Sequence, residues 1–125
     1  MTIERGEYLV TTIGACDNCH TRRIDSVFGG KVVPGTELSG GFEFSDPDIG
    51  PIVSPNITPD VATGIGEWTS ARLSMRCAMP TPVYGELSDN DALAIATYLL
   101  TVKPIKHEVP RTVYTYHCQR ITGLL

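Results

Sequence analysis

The 125-residue sequence predicts an all-α domain in which few helices and long Gly/Pro-rich loops wrap around one covalently bound, large, flat cofactor. Three observations lead there. Three segments carry helical apolar patterns, the stretch between residues 20 and 68 is dense in Gly and Pro, and two cysteines and a histidine crowd into Cys16–His20. The length suits a single domain with a core of limited size.

The first helix is expected from Ile3 to Ile13, with Tyr8, Leu9 and Ile13 on its apolar face and Gly14 as its stop. Cys16-Asp17-Asn18-Cys19-His20 follows at once. Two thiols at this spacing can add across the two vinyl groups of one haem, forming thioether bonds. The adjacent imidazole of His20 can then reach the iron from one face. The pentapeptide reads as c-type haem attachment. A redox-active Cys-x-x-Cys would need a βαβ context, whereas the flanks here are helix and irregular loop. A zinc site would need a fourth ligand, which Cys77 could supply, but not at a usual zinc spacing.

Between His20 and Trp68 come Gly29-Gly30, Pro34-Gly35, Gly40-Gly41, Pro47, Gly50-Pro51, Pro55, Pro59, Gly64 and Gly66. No helical period survives in such a run. A loop of this length needs something to wrap around, and a haem is such an object. A second, short helix is expected after Trp68, capped by Thr69 or Ser70 and covering Ala71, Leu73 and Met75.

An electron carrier normally has both axial iron positions filled, and His/Met ligation raises its potential. Candidates for the sixth ligand are Met75, Met79, His107 and His117. Met79 ranks first, because Pro80 and Pro82 stiffen its loop. Met75, at a position expected to be helical, ranks second and is more ordinary as core packing. His107 and His117 read as surface residues of the tail.

The third helix is the best marked. Ser88 followed by Asp91 resembles a capping box, with Asp where Glu or Gln is usual. Ala92, Leu93, Ile95, Ala96, Tyr98, Leu99, Leu100 and Val102 form its apolar stripe, and Pro104 ends it. The tail has weak alternation from Thr112 to Tyr116, read as an extended arm. Cys77 and Cys118 are an even pair, and haem attachment implies an oxidising compartment, so a disulfide between them is expected. Two unrelated thiols, or Cys77 as an unusual iron ligand, are the other readings.

Composition excludes several classes. Net charge is −4 before any haem propionate is added, which argues against nucleic-acid binding. No run approaches the ~18 apolar residues of a membrane span. The N-terminus has no signal-peptide pattern; since this attachment is normally made outside the cytoplasm, a leader is expected to have been removed.

Taken together, the residues resemble the class I cytochrome c domains that serve bacterial periplasmic alcohol, aldehyde and related dehydrogenases as electron-accepting subunits. The resemblance rests on Gly6-Glu7-Tyr8-Leu9-Val10 before Cys16–Thr21, then Leu38-Ser39-Gly40-Gly41-Phe42 and Pro55-Asn56-Ile57-Thr58-Pro59-Asp60. It continues with Thr63-Gly64-Ile65-Gly66-Glu67-Trp68-Thr69, Met79-Pro80 with Tyr84, Leu87-Ser88-Asp89 and Ala92 to Leu99. It implies a class I cytochrome c fold with crossed first and last helices, Gly6 and Tyr8 lying near the crossing. It also implies Met79 as distal ligand, Asn56, Ile57, Thr58 and Pro59 close to the haem, and Trp68 near a propionate. One departure is a short link, Arg72 to Ala78, where relatives carry a longer stretch; it would expose more of the haem edge.

The expected organisation is a cytochrome c domain over 1–110 and a C-terminal extension over 111–125. The expected function is periplasmic electron transfer by one covalently bound haem c, with a dehydrogenase as donor and a respiratory cytochrome or oxidase as acceptor. A haem-based sensor or peroxidase-like protein would instead keep an open distal iron site, and a zinc or thiol redox module would hold no haem.

Overall fold

Two helices from opposite ends of the sequence cross and set the frame of the molecule. The computed structural model describes residues 3–25, 29–46, 50–68 and 87–110. Helix α1 spans Ile3–Tyr8 and continues into a π-helical turn, Leu9–Ile13. Helix α2, Asp17–His20, is a single turn, and α3 spans Asp89–Leu99. Between α2 and α3, strands β1 (Glu43–Asp46) and β2 (Gly50–Val53) pair antiparallel, with Glu43 opposite Val53 and Phe44 opposite Ile52.

Gly6 makes the crossing. A Cβ built there would fall onto the carbonyl oxygen of Ala94 and 2.7 Å from Cβ of Tyr98. Ala94 is fully buried beneath it, so two small residues let the helix backbones meet. The Ser88 hydroxyl accepts from the Asp91 amide at 3.2 Å and caps α3 as expected. The Asp91 carboxylate accepts from Arg5 Nε and Nη2 at 2.9 and 3.2 Å. This exposed fork on α1 holds the Asp91 carboxyl below its ordinary pKa.

The expected helix 3–13 is continuous but changes winding. The Gly14 amide donates to the Leu9 carbonyl at 2.7 Å, an i→i+5 bond. Wider winding turns each residue through a smaller angle, so the side chains drift off the α-helical face. Leu9 and Val10 are buried, whereas Tyr8 is 47% and Ile13 63% exposed, correcting their expected place on the apolar face. Helix α3 shows a similar shift. Leu93 and Leu100 point outward, and the buried residues are Ala94, Ala96 and Leu99. Its end at Leu99 precedes Pro104, because the Thr101 amide and hydroxyl both turn back onto the Tyr98 carbonyl.

The β-hairpin corrects the all-α expectation. Its two four-residue strands lie inside the Gly/Pro-rich stretch, where Phe42 and Phe44 pack with ring centroids 4.7 Å apart. A core of Val10, Leu38, Ile65 and Leu99 joins the π turn, the loops and α3. Cys16, Ile57, Trp68, Ile95, Tyr98 and Val102 pack against it, partly buried. Among the described residues no helix is long and apolar enough to cross a membrane. The expected second helix, Met75, Met79, Cys77, Cys118, His117 and the tail beyond Pro110 lie outside the described residues.

Candidate functional site

The Cys16–His20 arc is presented by an abrupt change of backbone. After the π turn, Gly14 stays right-handed and Ala15 takes φ 43°, a left-handed conformation that costs an L-residue about 1–2 kcal/mol. The Cys16 amide donates to the Val10 carbonyl at 2.9 Å, which fixes the reversal. Cys16 then caps α2, and the His20 amide donates back to the Cys16 carbonyl at 2.8 Å. One turn of helix thus carries both cysteines and the histidine.

His20 is 7% exposed. Its Nδ1 lies 2.9 Å from the carbonyl oxygen of Pro55. A carbonyl only accepts, so Nδ1 carries the proton, and burial lowers the imidazole pKa, which keeps the ring neutral. Nε2 is then left with its lone pair and has no hydrogen-bond partner among the described residues. A ligating histidine has this form: one nitrogen tied to a backbone acceptor, which sets tautomer and orientation, the other available to a metal.

Gly40 brings the two halves of that contact together. With φ 75°, it donates its amide to the His20 carbonyl at 2.6 Å. A Cβ there would sit 2.5 Å from the carbonyl carbon of Pro55 and 2.6 Å from its oxygen. Gly40→Ala should therefore cost about 2–3 kcal/mol, part of it left-handed strain and part displacement of Pro55. Urea melts check the stability, and nitrogen-15 spectra of His20 should show a weakened Nδ1 proton bond. A destabilised variant with an unchanged His20 signal would make Gly40 a turn former only.

Cys16 and Cys19 are half-buried and not joined to each other. Burial, reinforced by Asp17, pushes the Cys16 thiol up to about 11. Burial also raises Cys19, against the opposing charge of Arg23. A redox-active Cys-x-x-Cys needs a depressed thiol pKa, so the electrostatics run against the thiol-redox reading. Among the described residues no three His, Cys, Asp or Glu side chains gather as a metal cluster. The residues do fit a covalently held haem: two unbridged thiols beside a neutral, pre-oriented imidazole, with Cys16, Ile57 and Trp68 all on the same apolar core.

Asn56 is 4% exposed, and its side chain is fully engaged within the protein. Nδ2 donates to Thr63 Oγ1 at 3.1 Å and to the Ile105 carbonyl at 2.8 Å, while Oδ1 accepts from the Thr58 amide and hydroxyl. Residue 56 thereby straps segment 105–107 to the loop that contains Pro55. His107, read from sequence as a surface residue, completes the strap and is half-buried. Its Nδ1 lies 2.9 Å from the Ser39 carbonyl, and its amide donates to Thr63 Oγ1. A lone histidine beyond a helix carries no pattern that could have revealed this. The pair Gly40-Gly41 is visible in the sequence, but not that Gly40 lies against Pro55 or that a Cβ on Gly41 would fall 2.7 Å from the His107 ring.

No family model matches the chain. It is 34% identical to the fructose dehydrogenase cytochrome subunit of Gluconobacter japonicus, over 89% of this chain and 24% of that protein. It is 37% identical to the cytochrome c subunit of the quinone alcohol dehydrogenase of Gluconobacter oxydans, over 82% of this chain and 22% of that one. The cytochrome c subunit of gluconate 2-dehydrogenase from Pantoea cypripedii is 35% identical over 78% of this chain and 22% of its own. The chain thus spans less than a quarter of the length of these curated relatives.

Proposed function

This chain is a c-type cytochrome, a relative of the cytochrome c subunits of bacterial dehydrogenases, and from that premise we propose that it carries single electrons from a dehydrogenase to a respiratory acceptor. The observation that carries the reading is His20, buried, neutral and held through Nδ1 with Nε2 free. In this reading Cys16 and Cys19 hold one haem c by thioether bonds and His20 ligates its iron. Met79 would supply the second protein ligand to that iron, with Met75 as second choice. When bound, the haem supplies one-electron Fe(III)/Fe(II) chemistry.

The protein's own contribution is to bind, orient and exclude water. The Pro55 carbonyl keeps the His20 ring in one tautomer and one rotation. Ile57, Ile65 and Trp68 offer an apolar wall beside Cys16, and a dry wall limits the solvent rearrangement that accompanies a change of charge. Trp68 near a propionate and Asn56 close to the haem belong to the same reading. So do a cytochrome domain over 1–110, a periplasmic location, a respiratory cytochrome or oxidase as acceptor, and a Cys77–Cys118 disulfide.

A visible spectrum tests the reading directly. Covalent c-type bands should survive acid–acetone extraction, and their absence would sink it. The oxidised protein should show the weak long-wavelength absorption band that generally marks a Met–iron bond. Met79→Ala should abolish that band, lower the potential and open the iron to carbon monoxide, whereas Met75→Ala should change none of these. The reverse pattern assigns the ligand to Met75. Carbon monoxide binding by the unaltered protein would favour the sensor or peroxidase-like reading instead.

A further inference from the structure

A buried cation beside the attachment arc has no role in the description so far. Arg23 lies three residues beyond His20, and its side chain is 6% exposed. Nη2 donates to three acceptors on the two residues between the cysteines: the Asp17 carbonyl at 3.2 Å, the Asp17 carboxylate at 3.1 Å and the Asn18 side-chain oxygen at 3.1 Å. Nη1 reaches across to the Gly30 carbonyl at 2.5 Å. Nε is buried without a partner among the described residues.

Such an arrangement is costly. Desolvating a guanidinium is unfavourable, and a buried N–H without a partner adds to the cost. A neutral side chain could brace the arc at lower cost. The charge itself must therefore be accounted for. Its acidic partner among the described residues, Asp17, is 47% exposed and screened by water, whereas the Arg23 side chain is not. The cation of the pair is therefore less screened than the anion, and it lies against the two residues between Cys16 and Cys19.

We infer that Arg23 holds the arc between the two attachment cysteines and raises the reduction potential of the group they carry. The inference rests on the haem reading above. The oxidised iron site bears one more positive charge than the reduced one, so a fixed buried cation disfavours the oxidised form and draws the equilibrium towards Fe(II). Reduction adds one electron to the iron; Arg23 exchanges neither proton nor electron. The planar fork and the charge are separable, since Lys keeps the charge and loses the fork.

The test is redox potentiometry of the haem-loaded protein, with Arg23→Gln, Arg23→Lys and Asp17→Asn compared at low salt and at 1 M salt. Arg23→Gln should shift the reduced-to-oxidised ratio at fixed poise roughly three- to tenfold towards oxidised, tenfold being about 59 mV for one electron. The shift should persist in 1 M salt, because a buried charge is poorly screened. Arg23→Lys should restore most of it while quickening amide exchange at Asn18 and Cys19, the mark of a loosened arc. Asp17→Asn should move the midpoint the other way, with an effect that fades in salt. Equal midpoints for the unaltered protein and Arg23→Gln, or a fall that vanishes in salt, overturn the electrostatic role. Unchanged exchange in Arg23→Lys overturns the positioning role. If Arg23→Gln fails to retain haem, Asp17→Asn decides: an unmoved midpoint counts against the inference. A chain that binds no haem at all sinks the proposed function instead, and is recognised by its spectrum before any midpoint is read.

Discussion

Replacing both Cys16 and Cys19 by Ala is expected to leave any haem extractable and the chain largely unfolded. The buried apolar side chains of the described residues are few: Leu9, Val10, Leu38, Phe42, Ile65, Ala94, Ala96 and Leu99. Two of these are alanines, and many of the described residues lie in irregular loops whose backbone ordering costs about 1–2 kcal/mol per residue. In the proposed reading the haem supplies the missing apolar surface, and the thioethers keep it bound when the chain loosens. A ligand that binds only the folded state adds its binding free energy to stability. Far-UV circular dichroism and urea titration of the double variant should show loss of helix and of the cooperative transition. Each single Cys→Ala variant, keeping one thioether, should be intermediate. A folded, haem-free double variant with a normal transition would overturn the architecture.

Gly6→Val should be nearly as damaging, by a different route. No solvent or flexible side chain lies where its Cβ must go; the obstacle is the Ala94 backbone carbonyl, with the Tyr98 Cβ behind it. Helices α1 and α3 must separate, and α3 carries Ile95 and Leu99 of the core. Overpacking alone typically costs 1–3 kcal/mol, and forced movement of a helix backbone adds to it, so a loss of about 4 kcal/mol is expected. Thermal melts of Gly6→Ala and Gly6→Val should fall in that order. A Gly6→Val melting point within a degree or two of the unaltered protein would show that the two helices are not held at this point.

The strong local signals were legible. Ser88 before an apolar-periodic run marked α3 and its cap, because a side-chain cap depends on neighbours three residues away. Gly14 marked the end of the first helix within a residue. The β-hairpin was not legible. Phe42, Phe44 and Ile52 alternate for only four residues a side, and Gly and Pro surround them. Long-range pairing, rather than local preference, makes those residues strands.

At the site, the spacing of two thiols and an imidazole specifies the chemistry and the class of cofactor they can hold, while the helix crossing at Gly6 was legible through the family resemblance alone. What surrounds that chemistry follows from how distant loops close on it. Pro55 is 35 residues from His20, yet its carbonyl selects the imidazole tautomer. Gly40 lies between them, and Asn56 and His107 fasten the loop that carries Pro55. Asp91, read as half of a local cap, serves a cation 86 residues away. Arg23 looks no different from Arg22 in sequence, but one is buried beside the arc and the other exposed. Spacing along a chain records which groups a local turn can bring together; which carbonyl or charge arrives from a distant loop depends on how the loops close, and a single sequence carries no local mark of that.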